Sequence, residues 1–268
     1  MKYYVLVMKL SCVLVACNDN TQYLDFWPAV KEAWWKVVGV PCVMIYVGDY
    51  LPEHLKNDPA VIFFKAIQQW PTATQAQMIR LLYPALLKCD GAVMISDMDM
   101  IPLQKDFFVK GFEQFNEKQF VSLRGIDEQE RQIYMCYVGA TPEIWREMFD
   151  IHSVIDVGNR IINFSMKYPS NGRHGGQGWC SDQIELYNKV KITQELYPEK
   201  IGLVPWTKEI SRIDRVRQED YDVQKDAIDD ALRNKQIVDY HMPSFQSNKA
   251  VIYSILEKSW DPLFTMNK

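Results

Sequence analysis

The chain has 268 residues, with 30 Lys and Arg against 34 Asp and Glu, for a formal net charge of −4. Apolar residues make up 48% and charged residues 24%, which excludes disorder, collagen and coiled coil. A chain this long buries roughly three quarters of its unfolded surface, enough for one large core, and the absence of a basic block argues against nucleic-acid binding.

The N-terminus imitates a signal peptide, but Lys9 breaks the apolar run before Cys12, so two short strands are the better reading. No run reaches the ~18 apolar residues of a membrane span. The six cysteines, Cys12, Cys17, Cys42, Cys89, Cys136 and Cys180, contain no C-x-x-C pair. They read as reduced thiols of a cytoplasmic protein.

In chain order, Cys12 to Cys17 is a buried strand stopped by the turn residues Asn18, Asp19 and Asn20. Asp25 is placed to cap a helix whose stripe is Trp27, Val30, Trp34, Val37 and Val38. Pro41 to Val47 is a second strand, ended by Gly48 and Asp49. A helix follows from Ala76 to Leu87, kinked at Pro84, and Gly91 to Ser96 is a third strand. Strands are expected at 119–123 and 134–139, a helix at 142–149 and another at 182–190. Residues 208–230 read as a charged surface stretch, and Ile237 to Tyr240 as a strand leading into His241. Four of the twelve glycines crowd into 171–180 beside Arg173, His174 and Trp179, the mark of a mobile loop.

The strand–helix alternation predicts an α/β fold, Rossmann-like, with a mostly parallel central sheet flanked by helices in a single domain. Ligands of such sheets sit beyond the carboxyl ends of the strands. Asp19, Asp49, Asp97 and Asp99 would all fall at that edge. Neither G-x-G-x-x-G nor G-x-x-x-x-G-K-[ST] is present, which disfavours a dinucleotide or P-loop site. The segment Val93-Met94-Ile95-Ser96-Asp97-Met98-Asp99 ends a buried strand in two carboxylates at i and i+2. Both can turn toward one hard divalent cation. An Asx turn is the plainer alternative.

Ile95 to Pro102 resembles the D-x-D segment of GT-A fold glycosyltransferases. Val13 to Asp19 resembles their first strand and nucleoside-contacting turn, and Gln77-Met78-Ile79-Arg80-Leu81 their arginine helix. Asp182-Gln183 and His241-Met242-Pro243 resemble the acidic-Gln pair and metal-binding histidine of the glycogenin and bacterial galactosyltransferase family. The resemblance implies a metal-dependent transferase using a UDP- or GDP-linked sugar donor and a glycan or glycoprotein acceptor. Asp97, Asp99 and His241 would hold Mn²⁺ or Mg²⁺. Ala16, Asn18, Asp19, Asp49, Arg80, Asp97 and Met98 would contact the nucleotide, and Asp182 and Gln183 would lie at the reacting carbon, with retention of configuration. His174 and Trp179 would meet the acceptor. Residues 10–103 would form the donor half and 104–268 the acceptor half.

Alternatives remain at this level. Arg80 reads equally as a salt-bridged helix residue, Asp182 as a helix N-cap with Glu185 completing a capping box, and His241 as structural. The strand-then-D-x-D pattern also fits a haloacid-dehalogenase-type phosphotransferase, with Asp229 and Asp230 as its distal acids. That motif belongs on a first strand, however, whereas here two strands precede it. A catalytically inactive sugar-binding module is the non-enzyme reading.

Overall fold

The computed structural model describes residues 6–207 and 210–260. Ten strands form two sheets. They are β1 (Leu10–Cys17), β2 (Cys42–Gly48), β3 (Val61–Lys65), β4 (Ala92–Ile95), β5 (Met100–Pro102), β6 (Phe120–Ser122), β7 (Val138–Ala140), β8 (Ile201–Leu203), β9 (Ser211–Asp214) and β10 (Ile237–His241). The large sheet has the order β3-β2-β1-β4-β7-β6-β8. Strands β3, β2, β1 and β4 are parallel, β7 runs against both β4 and β6, and β8 is parallel to β6. The small sheet is β5-β10-β9, with β10 antiparallel to β5 and parallel to β9. This is the mixed α/β, mostly parallel architecture that the strand–helix alternation predicts.

The helices are α1 (Thr21–Leu24), α2 (Trp27–Ala33), α3 (Thr72–Leu82), α4 (Lys105–Glu113), α5 (Pro142–Phe149), α6 (Val154–Lys167), α7 (Ser181–Leu196), α8 (Gln218–Arg233) and α9 (Phe245–Trp260). Side chains of β1 alternate between two cores, as a two-sided buried strand requires. Val13 and Val15 join Trp27, Val30 and Trp34 with Phe108 of α4 and Val251 of α9. Leu14 joins Met78 and Ile79 of α3, Trp145 of α5, Ile161 of α6 and Leu186 of α7. Each fully buried side chain of this kind contributes about 1.5–3 kcal/mol. Trp145 also anchors β4: its indole N–H donates to the Val93 carbonyl at 3.0 Å, and its ring meets Phe120 edge-on and stacks on Phe149.

Several expected boundaries move. The helix cap falls to Asn20, whose side chain accepts from the Gln22 N–H, and Asp25 closes α1 at its C-terminus. Pro28 opens α2 without a side-chain cap, and a π turn over Trp34–Val38 extends it, so the five stripe residues are buried as expected. The third helix starts earlier, at Thr72, and stops at Leu82. Tyr83, before Pro84, begins a 3₁₀ turn because proline disfavours helix at the residue it follows. β3, β5, β8, α1, α4, α6 and α9 have no counterpart among the expected elements. The expected strand at 134–139 is a 3₁₀ turn over Met135–Tyr137 followed by the short β7. The charged stretch 208–230 contributes β9 and the start of α8, with Ile213, Tyr221 and Asp229 buried; Lys208 and Glu209 lie outside the described residues.

Gly139 of β7 faces Met94 of β4, and a Cβ built there would lie 2.7 Å from Phe112 Cζ and 3.0 Å from Met94 Cα. Backbone cannot yield as a side chain does. Gly139→Ala is therefore expected to cost about 1–3 kcal/mol, read as a lower urea midpoint at unchanged slope. An unchanged midpoint would contradict this packing.

Candidate active site

Because β1 and β4 are parallel, their carboxyl ends open on one edge, and a cleft of about 510 Å³ lies there. Its lining brings together Ala16, Asn18, Arg80, Asp97, Met98, Asp99, His174, Trp179, Asp182, Gln183 and His241. Two of the expected nucleotide contacts are not in that lining. Asp19 is exposed in the turn after β1. Asp49, after β2, accepts from Lys65 Nζ at 3.1 Å and Gln68 Nε2 at 2.9 Å.

Arg80 is the hub of one wall. It projects from α3 and is buried, and its guanidinium donates to the Ser96 carbonyl at 3.2 Å, to Asp97 Oδ1, and to Asp182 Oδ2 at 3.0 Å. Burial alone would weaken its charge, but the two carboxylates more than offset this and raise its pKa above the ordinary value. Burial likewise pushes Asp97 up, and the opposing pull of Arg80 and His241 leaves it below the usual carboxylate range. At Asp182 burial wins: its carboxyl is lifted to about 6 despite Arg80 and the Gln183 N–H.

Asp182 is not a helix cap. Cys180 holds the N-cap position of α7, Asp182 sits in the first turn, and its Oδ1 accepts from the Gln183 N–H at 2.9 Å. Glu185 does not reach back to the cap; it accepts from Lys167 Nζ and the Tyr168 hydroxyl.

The opposite wall comes from the small sheet. Pairing of β10 with β5 sets His241 across from Met100, and the Met242 N–H donates to the Asp99 carbonyl at 2.7 Å. His241 Nε2 thereby stands 3.2 Å from Asp99 Oδ2, and Nδ1 lies 3.6 Å from Asp214 Oδ1. Burial disfavours the imidazolium, but Asp99 and Asp97 outweigh it and raise the His241 pKa. Ligand atoms of Asp97, Asp99 and His241 all lie within 4.8 Å of one another. Neighbouring ligands on an octahedral divalent ion, each about 2.1 Å from it, stand about 3 Å apart. The three side chains stand wider than that and are near enough to hold such an ion once they close in on it; two oxygens with one imidazole suit Mn²⁺ at least as well as Mg²⁺.

Residues of the glycine-rich loop line the cleft. Tyr23 of α1 bonds His174 Nδ1 through its hydroxyl at 2.9 Å, the His174 and Trp179 rings lie 4.6 Å apart, and Gln77 Nε2 donates to the Trp179 carbonyl. Tyr23 and Arg215 line the cleft without having been singled out in the sequence, and so does Gln77, which the sequence offered within the arginine helix but with no role of its own. Gln77 sits three residues before Arg80, on the same helix face, a spacing that could have found it. Its Oε1 is buried without a partner. Asp229, a candidate distal acid of the phosphotransferase reading, is absent from the lining and is held by Lys258 Nζ at 2.6 Å.

No family model and no curated protein matches the chain. Among solved structures, it is similar to the galactosyltransferase LgtC in complex with donor and acceptor sugar analogs, at 11% identity and a TM-score of 0.43, over 91% of this chain and 95% of that one. It is also similar to the glycosyltransferase GlyE of Streptococcus pneumoniae TIGR4, at 10% identity and a TM-score of 0.47. That likeness spans 95% of this chain and 62% of GlyE, so the chain covers less than two thirds of GlyE's length. A third similar structure is the bifunctional glycosyltransferase WbbM, at 8% identity and a TM-score of 0.35, over 87% of this chain and 45% of that one.

The raised Asp182 pKa has a stability signature. In the unfolded chain Asp182 ionises near the ordinary 3.8, whereas folded it keeps its proton up to about 6. Its contribution is present below the unfolded pKa and lost as pH rises through about 6. Asp182→Asn removes this dependence, so its urea midpoint is expected to decline less than that of wild type between pH 4 and 6. Parallel pH profiles would show that Asp182 is ionised throughout that range.

Proposed function

We propose that the protein is a metal-dependent glycosyltransferase of GT-A type that moves a sugar from a UDP- or GDP-linked donor to a glycan or glycoprotein acceptor. The observation that carries this reading is the Asp97–Asp99–His241 cluster at the carboxyl edge of a parallel sheet, inside a cleft of about 510 Å³. The divalent ion it fits would act, when bound, as a Lewis acid toward a diphosphate. The chain's own residues do the rest. Asn18 and Ala16, at the end of β1, and Met98, between the two acids, are the nucleotide contacts, with Asp19 and Asp49 as further contacts to base and ribose. Arg80 holds Asp97 oriented. His174 and Trp179 offer an imidazole and a π face to a sugar ring. Residues 10–103 form mainly the donor half and 104–268 mainly the acceptor half, the latter lending His241 to the metal cluster. The six free cysteines support a cytoplasmic setting, and among the described residues no helix is long and apolar enough to cross a membrane.

Transfer breaks the bond from the anomeric carbon to the diphosphate oxygen, and the electron pair stays on the diphosphate. The acceptor hydroxyl oxygen forms the new bond, and its proton passes to the leaving diphosphate. We assign retention of configuration, since both oxygens of Asp182 are engaged, one by Arg80 and one by the Gln183 N–H. It is thus poorly placed as a general base on an acceptor hydroxyl. Asp182 and Gln183 instead shape the floor beneath the reacting carbon.

In a thermal-shift panel, UDP or GDP should raise the melting temperature only with Mn²⁺ present, by the equivalent of about 2.7 kcal/mol at 100 times Kd. Asp97→Asn and Asp99→Asn should lose that shift while remaining folded. A response to phosphate mimics with Mg²⁺, and none to nucleotides, would favour the phosphotransferase; no response to either would favour a binding module. Once a donor is found, proton NMR of the product should show its anomeric configuration kept. An inverted product with turnover abolished in Asp182→Asn would make Asp182 a base.

A further inference from the structure

Arg215 has no role in the assignments above. It follows β9 directly, in the left-handed backbone region at φ 52°, where a long side chain is rarely found. Its N–H donates to the His241 carbonyl at 2.7 Å, which ties its backbone to the strand carrying the third candidate ligand. Its guanidinium is half exposed, with Nη2 at 3.5 Å from Asp99 Oδ2. It lines the main cleft and also a second cavity of about 540 Å³, whose wall includes Arg217, Ser244 and Ser247. The other cations of the cleft are placed differently. Arg80 is buried and committed to two carboxylates, and Arg173 rides on the exposed glycine-rich loop. Strained backbone, a fixed anchor and an open guanidinium beside the D-x-D carboxylates converge on one residue.

We propose that Arg215 is a catalytic residue that grips the leaving diphosphate, an assignment that rests on the glycosyltransferase reading. Its planar fork can give two charge-assisted hydrogen bonds to phosphate oxygens, a geometry that ammonium lacks. When the anomeric C–O bond breaks, the electron pair stays on the diphosphate, and the guanidinium faces the oxygens that gain the charge. The backbone bond to His241 fixes the root of the side chain, so the guanidinium reaches the diphosphate from a set anchor beside the D-x-D carboxylates. Arg80 is buried and committed to Asp97 and Asp182, which leaves Arg215, among the described residues, as the arginine of the cleft's rigid walls that is open to a ligand.

The test uses the full chain with Mn²⁺ and inorganic pyrophosphate as probes. Mn²⁺ alone is titrated by electron paramagnetic resonance, and pyrophosphate at saturating Mn²⁺ by calorimetry, for wild type, Arg215→Gly and Arg215→Lys. Glycine accepts the left-handed backbone, so Arg215→Gly should keep or raise the melting temperature. It should bind Mn²⁺ within about threefold of wild type but lose pyrophosphate affinity by about 10- to 100-fold. Arg215→Lys should recover part of that loss. Wild type that binds neither probe would overturn the functional reading and this inference with it. Wild type that binds both, with Arg215→Gly binding pyrophosphate equally well, would overturn the inference alone. Loss of Mn²⁺ binding in Arg215→Gly would make Arg215 a support of the metal cluster, and this too would overturn it.

Discussion

A single buried guanidinium holds one wall of the cleft together. Arg80 reaches from α3 to Asp97 after β4 and to Asp182 at the start of α7, residues separated by 17 and 102 positions in sequence. Without a cation between them, the buried Asp182 and the half-buried Asp97 would face a desolvation penalty, reaching several kcal/mol for a fully buried charge. With Arg80 in place, the turn after β4 and the first turn of α7 are fixed to the same helix. The orientation of the D-x-D segment, the floor of the cleft and the docking of α7 all follow from that bridge.

The second constraint is strand pairing. β5 is only three residues long, and it would hold little by itself. Paired with β10, it sets His241 beside Asp99 across 142 positions of sequence, and the Met242 N–H to Asp99 carbonyl bond locks the register. A one-residue slip would turn His241 to the other face of the small sheet. Asp239, buried two residues before His241 on β10, pairs with Arg212 of β9 and accepts from the Tyr137 hydroxyl, which makes such a slip costly. The candidate ligand set is therefore a property of two sheets meeting, one supplying the carboxylates and the other the imidazole.

The sequence made some of this legible and not the rest, for identifiable reasons. Strands buried on both faces, such as Leu10–Cys17 and Ala92–Ile95, show as continuous apolar runs, and the carboxylates that follow them stand out. The edge strand Val61–Lys65 does not, because Phe63 and Lys65 are exposed and the run is short. The helix α4 escaped notice for want of a side-chain cap. Asp182 fitted a capping pattern locally, and only a residue 102 positions away decides that it pairs with Arg80. Arg215 carried no signal at all, since what sets it apart is a left-handed backbone angle and a place between two cavities, both given by the fold. Local chemistry was readable from local sequence; partners supplied by the fold were not.

The most direct test of the central claim is diffraction from crystals grown with Mn²⁺ and UDP or GDP, collected at the manganese absorption edge. The account predicts one strong anomalous peak within about 2.3 Å of ligand atoms from Asp97, Asp99 and His241, with diphosphate density beside it. A nucleotide-bound crystal with no peak at that cluster, or with its metal held elsewhere in the chain, would contradict it.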